Sequence, residues 1–209
     1  MEERNCFLAA VSHDLRTPLT RLKLRAEKID QQELRSDVQN DINEMAGIID
    51  TTLGYLHGDE QPEATCLLDI GALVYSFAED AKECGDVVKV SGNARPIRLQ
   101  PLAIRRCLNN LIENALRYGE RADIVIGETG NEVVITIYDA GPGIPEDKLE
   151  AVFAPFYRLD ASRSRHTGGI GLGLSIARDM AKKQGGNITL KNAPEGGLVA
   201  TLVLPKRHY

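Results

Sequence analysis

The chain has 209 residues, 43% of them hydrophobic, and a formal net charge of −5, enough apolar mass for one large domain or two small ones. Its acidic balance argues against nucleic acid or an anionic membrane surface as a direct partner, since both favour a basic excess, and points instead to a protein or a small ligand. The four cysteines, Cys6, Cys66, Cys84 and Cys107, lie far apart with neither zinc-ligand nor disulfide-framework spacing, and read as reduced thiols in a cytoplasmic setting.

No apolar run approaches the roughly 20 residues that span a bilayer, so the polypeptide is expected to be soluble as it stands. It opens inside a helical pattern, which suggests a piece cut from something longer. Leu8, Val11, Leu15, Leu22 and Ile29 recur at helical spacing and predict a first helix to about residue 29. Val38, Ile42, Met45, Ile49, Thr52 and Leu56 step four, three, four, three, four, the rhythm of a second bundle helix. "EKIDQQEL" between them is a short polar connection. One hairpin buries a single stripe per helix, so two hairpins pairing as a homodimeric four-helix bundle is the expected arrangement.

"GDEQPEA", residues 58–64, reads as a linker. Beyond it, segments 87–91, 122–127, 132–138, 187–191 and 198–204 are rich in Val, Ile and Thr and predict strands. Stretches 71–84, 101–118 and 173–184 predict helices. Intermixed elements without strict βαβ alternation favour a two-layer α/β sandwich over a doubly wound sheet.

Chemistry-bearing residues fall in four places. In "VSHDLRTPLT", His13 lies about 160–200° around the helix from Val11 and Leu15 and so points away from the seam. A solvated surface histidine fits that position. So does a nucleophile whose tautomer Asp14 fixes, with Thr17 one turn along the same face and Pro18 loosening the helix beyond it. In "AIRRCLNNLIENALRYG", Ile104, Leu108, Leu111 and Ala115 share one face while Asn110, Asn114 and Arg117 share the opposite one. That polar row is either a wet face or a set of neutral ligands for Mg²⁺ with an arginine for phosphate.

"EVVITIYDAGPGIP" runs an apolar strand into Asp139, followed by Gly141 and Gly143. This is an ordinary Asp-Gly turn, or else a carboxylate waiting for a donor such as an adenine amino group, with glycines that admit a ligand close to the backbone. Finally, Gly169, Gly171 and Gly173 lead into an amphipathic helix whose N-terminus could receive phosphates. The preceding "RLDASRSRHTGG" reads as a mobile basic lid, with Arg163 and Arg165 available to a triphosphate.

Taken in order, these pieces resemble the sensor histidine kinases of two-component signalling. "FLAAVSHDLRTPLT" is similar to the H box, "NNLIENALRYG" to the N box, "DAGPGIP" to the G1 box, "FAPFYRLD" to the F box and "GGIGLGLS" to the G2 box. The H-box wording is further similar to that of osmosensing kinases of proteobacteria. The resemblance implies an α-helical hairpin forming a dimeric four-helix bundle for dimerisation and histidine phosphotransfer (1–57), a linker (58–65), and an α/β sandwich of the GHKL or Bergerat ATP-binding fold (66–209).

By that resemblance His13 is phosphorylated by ATP, Asp14 orients it and acts as base, and Thr17 positions a water when the partner is dephosphorylated. Asn114, with Asn110 beside it, lies at Mg²⁺ and the phosphates, and Arg117 stands where a lysine is more usual. Tyr118 lies near the base and Asp139 binds the adenine amino group. Gly141, Gly143, Arg163, Arg165, Gly169, Gly171, Gly173 and Leu174 complete the nucleotide site. The implied cofactors are ATP and Mg²⁺. The implied partners are a second copy and the receiver domain of a response regulator, and the implied setting is the cytoplasmic part of a membrane-anchored protein of the bacterial inner membrane. Two rivals fit parts of the pattern: an ATPase of the same fold with water as nucleophile, and a dimeric docking module without catalysis.

Overall fold

A computed structural model describes residues 15, 17–57, 63–159 and 171–206. They fall into two compact units, one up to residue 57 and one from Glu63 onward.

The first unit is a pair of helices, α1 over residues 17–26 and α2 over Gln32–His57. Helix α1 continues through Pro18 and stops at residue 26, so Ile29, the last step of the expected seam, lies in the turn. Lys28 and Ile29 donate to the carbonyls of Arg25 and Ala26, each at 3.1 Å, the tightened three-residue bonds that commonly finish a helix. Lys23 Nζ reaches Asn43 Oδ1 at 3.4 Å and joins the helices. Among the described side chains of this unit only Ala26 and Ile42 are buried. Leu15, Leu22, Leu24, Leu34 and Met45 remain between 40% and 56% exposed, the uncovered stripe that a lone hairpin must show.

The second unit is built on a five-stranded sheet in the order β2 (Val87–Gly92), β4 (Arg121–Thr129), β5 (Glu132–Tyr138), β7 (Leu198–Pro205), β6 (Asn187–Asn192). The β2–β4 pair is parallel and the other pairs are antiparallel. Alternation puts one face of each strand inside: Ile126, Ile135, Leu202 and Ile188 form one buried row across the sheet, and Ile124, Ile137, Ala200 and Leu190 form the next. Helices α3 (Ile70–Glu83), α4 (Pro101–Gly119) and α5 (Gly173–Lys183) supply the second layer. They contribute Val74, Phe77, Ile104, Leu108, Leu111, Ile176 and Met180 to the core. Burial of each large aliphatic side chain contributes about 1.5–3 kcal/mol.

Two short strands, β1 (Cys66–Leu68) and β3 (Ile97–Leu99), pair antiparallel as a separate ribbon. Three residues are too few to display a period, and neither strand is foreseen from the sequence. The carboxylate oxygens of Glu63, near the end of the segment read as a linker, accept from the amides of Leu102 (2.5 Å) and Ala103 (3.1 Å) in the first turn of α4. The negative charge suits that helix end. Gln100 then exchanges bonds with the buried Gln184 at the end of α5, its amide donating to Gln184 Oε1 at 3.0 Å and its Oε1 accepting from Gln184 Nε2 at 2.7 Å. The far ends of α4 and α5 are thereby tied together.

At the other end of the sheet Glu128 accepts from the Arg95 backbone N–H, from Lys206 and from the Arg95 guanidinium. These donors lower its carboxyl from the ordinary 4.5 to about 2, the Arg95 amide having the largest effect. Because the folded-state value is depressed, the stabilisation is complete above the ordinary value and is lost as pH falls towards the folded one. Thermal melts of the parent and of Glu128→Gln should therefore differ at pH 6 and converge as pH is lowered through about 4 to about 2. A gap that persists unchanged at the acid end would remove this carboxylate from the pH dependence.

Candidate functional site

Strand β5 ends at Tyr138, and the next residue carries the first site group. Asp139 Oδ1 accepts from the amides of Gly141 at 2.8 Å and Leu198 at 3.0 Å, while the Asp139 amide donates to the Leu198 carbonyl at 3.0 Å. The half-buried carboxylate thus already has partners for one oxygen in the backbone, which the sequence did not reveal. No hydrogen bond to Oδ2 exists among the described residues.

Bare glycines let this loop close on the last turn of α4. A Cβ on Gly119 would stand 2.5 Å from Asp139 Cβ, and one on Gly141 would stand 2.7 Å from the Tyr118 carbonyl oxygen. The left-handed residue that ends α4 is Glu120, with φ 58°. Gly119 is therefore needed for its missing side chain and not for its backbone angle.

On α4 the face of Ile104, Leu108, Leu111 and Ala115 is buried, as its spacing predicts. Asn110 and Asn114 are half-buried, whereas Arg117 and Tyr118 are exposed. Asn110 Nδ2 donates to the Arg106 carbonyl at 2.8 Å, leaving Oδ1 facing α5, 3.2 Å from where a Cβ on Gly173 would stand. The asparagine face therefore meets the start of α5 and is not simply a wet surface. Helix α5 follows Leu172, which provides no side-chain cap, and the first amides of a helix have no partner within it. Gly171, at φ 75°, approaches the Tyr157 carbonyl so closely that a Cβ would be 2.6 Å away. Its own carbonyl accepts from Phe156 at 2.9 Å. Leu174 is half-buried in the first turn, and Gly143 has φ 74°.

His13, Asp14, Arg163, Arg165 and Gly169 lie outside the described residues. Thr17 is described and exposed on α1.

Two features escape sequence reasoning altogether. Arg178 of α5 forms a two-pronged ion pair with Glu150, one contact at 2.9 Å, and stacks 3.3 Å over the Phe153 ring, pinning the segment before "FAPFYR" to α5. Asn192 Oδ1 accepts from the Ile144 amide at 2.8 Å and its Nδ2 donates to the Ile144 carbonyl at 2.7 Å, fastening the end of the Asp139 loop to β6. Partners 28 and 48 residues away leave no local signal.

The donor set suits a purine nucleotide with a divalent cation: a carboxylate oxygen for an exocyclic amine, uncapped helix amides for phosphate, and carboxamide oxygens for a hard cation. Among the described residues no group of three or more His, Cys, Asp or Glu could hold a metal.

The sequence profile of the histidine kinase-, DNA gyrase B- and HSP90-like ATPases matches residues 99–208, more than half of the chain. The chain belongs to this family. That of the His Kinase A (phospho-acceptor) domain matches residues 3–60, so the molecule pairs a phospho-acceptor hairpin with a histidine-kinase-like ATPase unit, as the order of the boxes implies. Sensor histidine kinase GtrS of Pseudomonas aeruginosa is 39% identical over 206 residues, covering 99% of this chain and 43% of GtrS. This chain thus spans less than half of that relative. The ATP binding domain of PrrB from Mycobacterium tuberculosis is 27% identical, with TM-score 0.58, covering 69% of this chain and 99% of that one. Full-length ShkA in complex with AMPPNP shares the fold, with TM-score 0.78 over 97% of this chain and 46% of ShkA, at 21% identity. Among the described residues no helix of this family member is long and apolar enough to cross a membrane.

Proposed function

We propose that this chain is the core of a sensor histidine kinase that moves the γ-phosphoryl group of ATP to His13 and then to an aspartate on the receiver domain of a response regulator. The observation that carries the reading is Asp139. Two backbone amides hold one carboxylate oxygen, so the other is aimed and available to the adenine amino group. In the first step a neutral imidazole nitrogen of His13 attacks the γ-phosphorus and ADP leaves, with Asp14 orienting the ring and taking its proton. Phosphoryl transfer depends mainly on positioning and on offsetting charge. In this reading Arg117, Arg163, Arg165 and the amides after Gly169, Gly171 and Gly173 would serve the phosphates, while Tyr118, Gly141, Gly143 and Leu174 would complete the nucleotide site. Mg²⁺ would be held by Asn114, with Asn110 beside it, and supplies charge neutralisation when bound.

The exposed stripe of Leu15, Leu22, Leu24 and Met45 supports homodimerisation through a four-helix bundle. The division into a phosphotransfer unit (1–57), a linker (58–65) and a catalytic unit (66–209), and membrane anchoring of the full-length protein, are part of the same proposal and rest on the resemblance to sensor histidine kinases. The affinity to osmosensing kinases rests on the H-box wording alone. Incubation with γ-labelled ATP tests the whole reading: acid-labile label on the protein is expected, and release of free phosphate without labelled protein would make the chain an ATPase instead.

Thr17→Ala should separate two activities. Its hydroxyl, one turn beyond His13, aligns a water for attack on the regulator's phosphoaspartate, whereas attack on ATP by the imidazole requires no such donor. Losing a well-placed hydrogen bond to a charged transition state costs about 2–4 kcal/mol, roughly two orders of magnitude in rate or more. Regulator dephosphorylation should fall by that factor with autophosphorylation little changed. Parallel loss of both rates would reduce Thr17 to a structural residue beside Pro18.

A further inference from the structure

We infer that Asn192 is a positioning residue for the nucleotide site, holding the Asp139 loop so that its carboxylate discriminates adenine from guanine. The loop from Asp139 to Ile144 is fastened at both ends by one hairpin, β6–β7. At its start the Leu198 amide bonds Asp139 Oδ1 at 3.0 Å. Gly197 lies so close there that a Cβ would be 2.0 Å from the Asp139 carbonyl oxygen. At its end the Asn192 carboxamide takes both the N–H and the C=O of Ile144, at 2.8 and 2.7 Å, which sets the orientation of that residue's peptide groups. Gly143 passes beneath the same side chain, where a Cβ would be 2.7 Å from Asn192 Oδ1.

Between the two fastenings lie Ala140, Gly141, Pro142 and Gly143, a stretch in which the glycines impose little of their own direction. Both Asn192 bonds are solvent-exposed, so water replaces them readily and their loss weakens the fold little. What is lost is direction. An aimed Oδ2 accepts from the amino group of adenine and opposes the carbonyl oxygen that guanine presents at the equivalent position. A loop released at Ile144 loosens the Gly141 amide, one of the two donors that hold Oδ1, so the carboxylate is left oriented by Leu198 alone and the preference falls.

This inference rests on the reading of Asp139 as the adenine acceptor, and the experiment separates the two. Calorimetric titration of the purified chain with AMPPNP and with GMPPNP, each with Mg²⁺, is paired with thermal melts free of nucleotide. For Asn192→Ala the AMPPNP dissociation constant should rise about ten-fold and that for GMPPNP by less than about two-fold, with the melting midpoint shifted by no more than about two degrees. Asn192→Asp, which keeps the acceptor for the Ile144 amide but loses the donor to its carbonyl, should fall between the parent and Asn192→Ala. Equal weakening of both nucleotides, or no change in either, would overturn the role assigned to Asn192. Asp139→Asn is the control: it should abolish the adenine preference. If it does not, the reading of Asp139 fails whatever Asn192 does; if it does while Asn192→Ala keeps the preference, only this inference fails.

Discussion

Asp139→Asn is expected to weaken ATP binding by about two orders of magnitude and to leave His13 unphosphorylated at ordinary ATP concentrations. The substitution changes little in the fold. An asparagine carbonyl oxygen can still accept from the Gly141 and Leu198 amides that now hold Oδ1. The other position, however, becomes an NH₂ group facing the adenine NH₂, two donors with no acceptor between them. Losing a charge-assisted bond and leaving donors unpaired costs about 3 kcal/mol together. Calorimetry on parent and variant measures this directly, and unchanged affinity would move the base to another part of the site.

His13→Gln has the larger effect on turnover and almost none on binding. Glutamine fills a similar space and hydrogen-bonds, but its amide nitrogen has no lone pair fit for attack on phosphorus. Acid-labile label should disappear, while ATP affinity stays within about three-fold of the parent because the substituted residue lies far from the nucleotide groups in sequence and belongs to the other unit. The chain contains four histidines, so persistent label in this variant would assign the acceptor to His57, His166 or His208. Comparing the two substitutions on one preparation makes each the control of the other: one removes the nucleotide, the other the acceptor.

The strands of the ATPase unit were legible because burial on one face writes an alternating pattern into residues such as Val133, Ile135 and Ile137, all buried. Helix α4 was legible for the same reason at a longer period. The pattern failed where an element was too short to show a period, as in Cys66–Leu68 and Ile97–Leu99. It failed also at the end of α1, where an apolar residue at helical spacing, Ile29, lies in a turn closed by three-residue bonds. Gly119 illustrates a subtler gap. A glycine at the end of a helix suggests a left-handed cap, yet Glu120 takes that conformation and Gly119 makes room for Asp139.

The kinds of groups at the candidate site were thus determined by the sequence alone: a strand-end carboxylate, an asparagine face, glycines before a helix. Their identities and periods are local properties of the chain, and the family of the chain follows from their order. Which oxygen of Asp139 is held and which is left to a ligand was decided only by tertiary structure, because Leu198 lies 59 residues further on and reaches Asp139 through the pairing of β5 with β7. The same holds for Asn192 against Ile144, for Arg178 against Glu150, and for Asn110 at the first turn of α5. The first two are bonds, and the third a close approach, between segments that share no local pattern. Sheet register and helix packing choose such partners by bringing whole elements together, and a one-residue slip in register would turn every side chain of a strand to the other face.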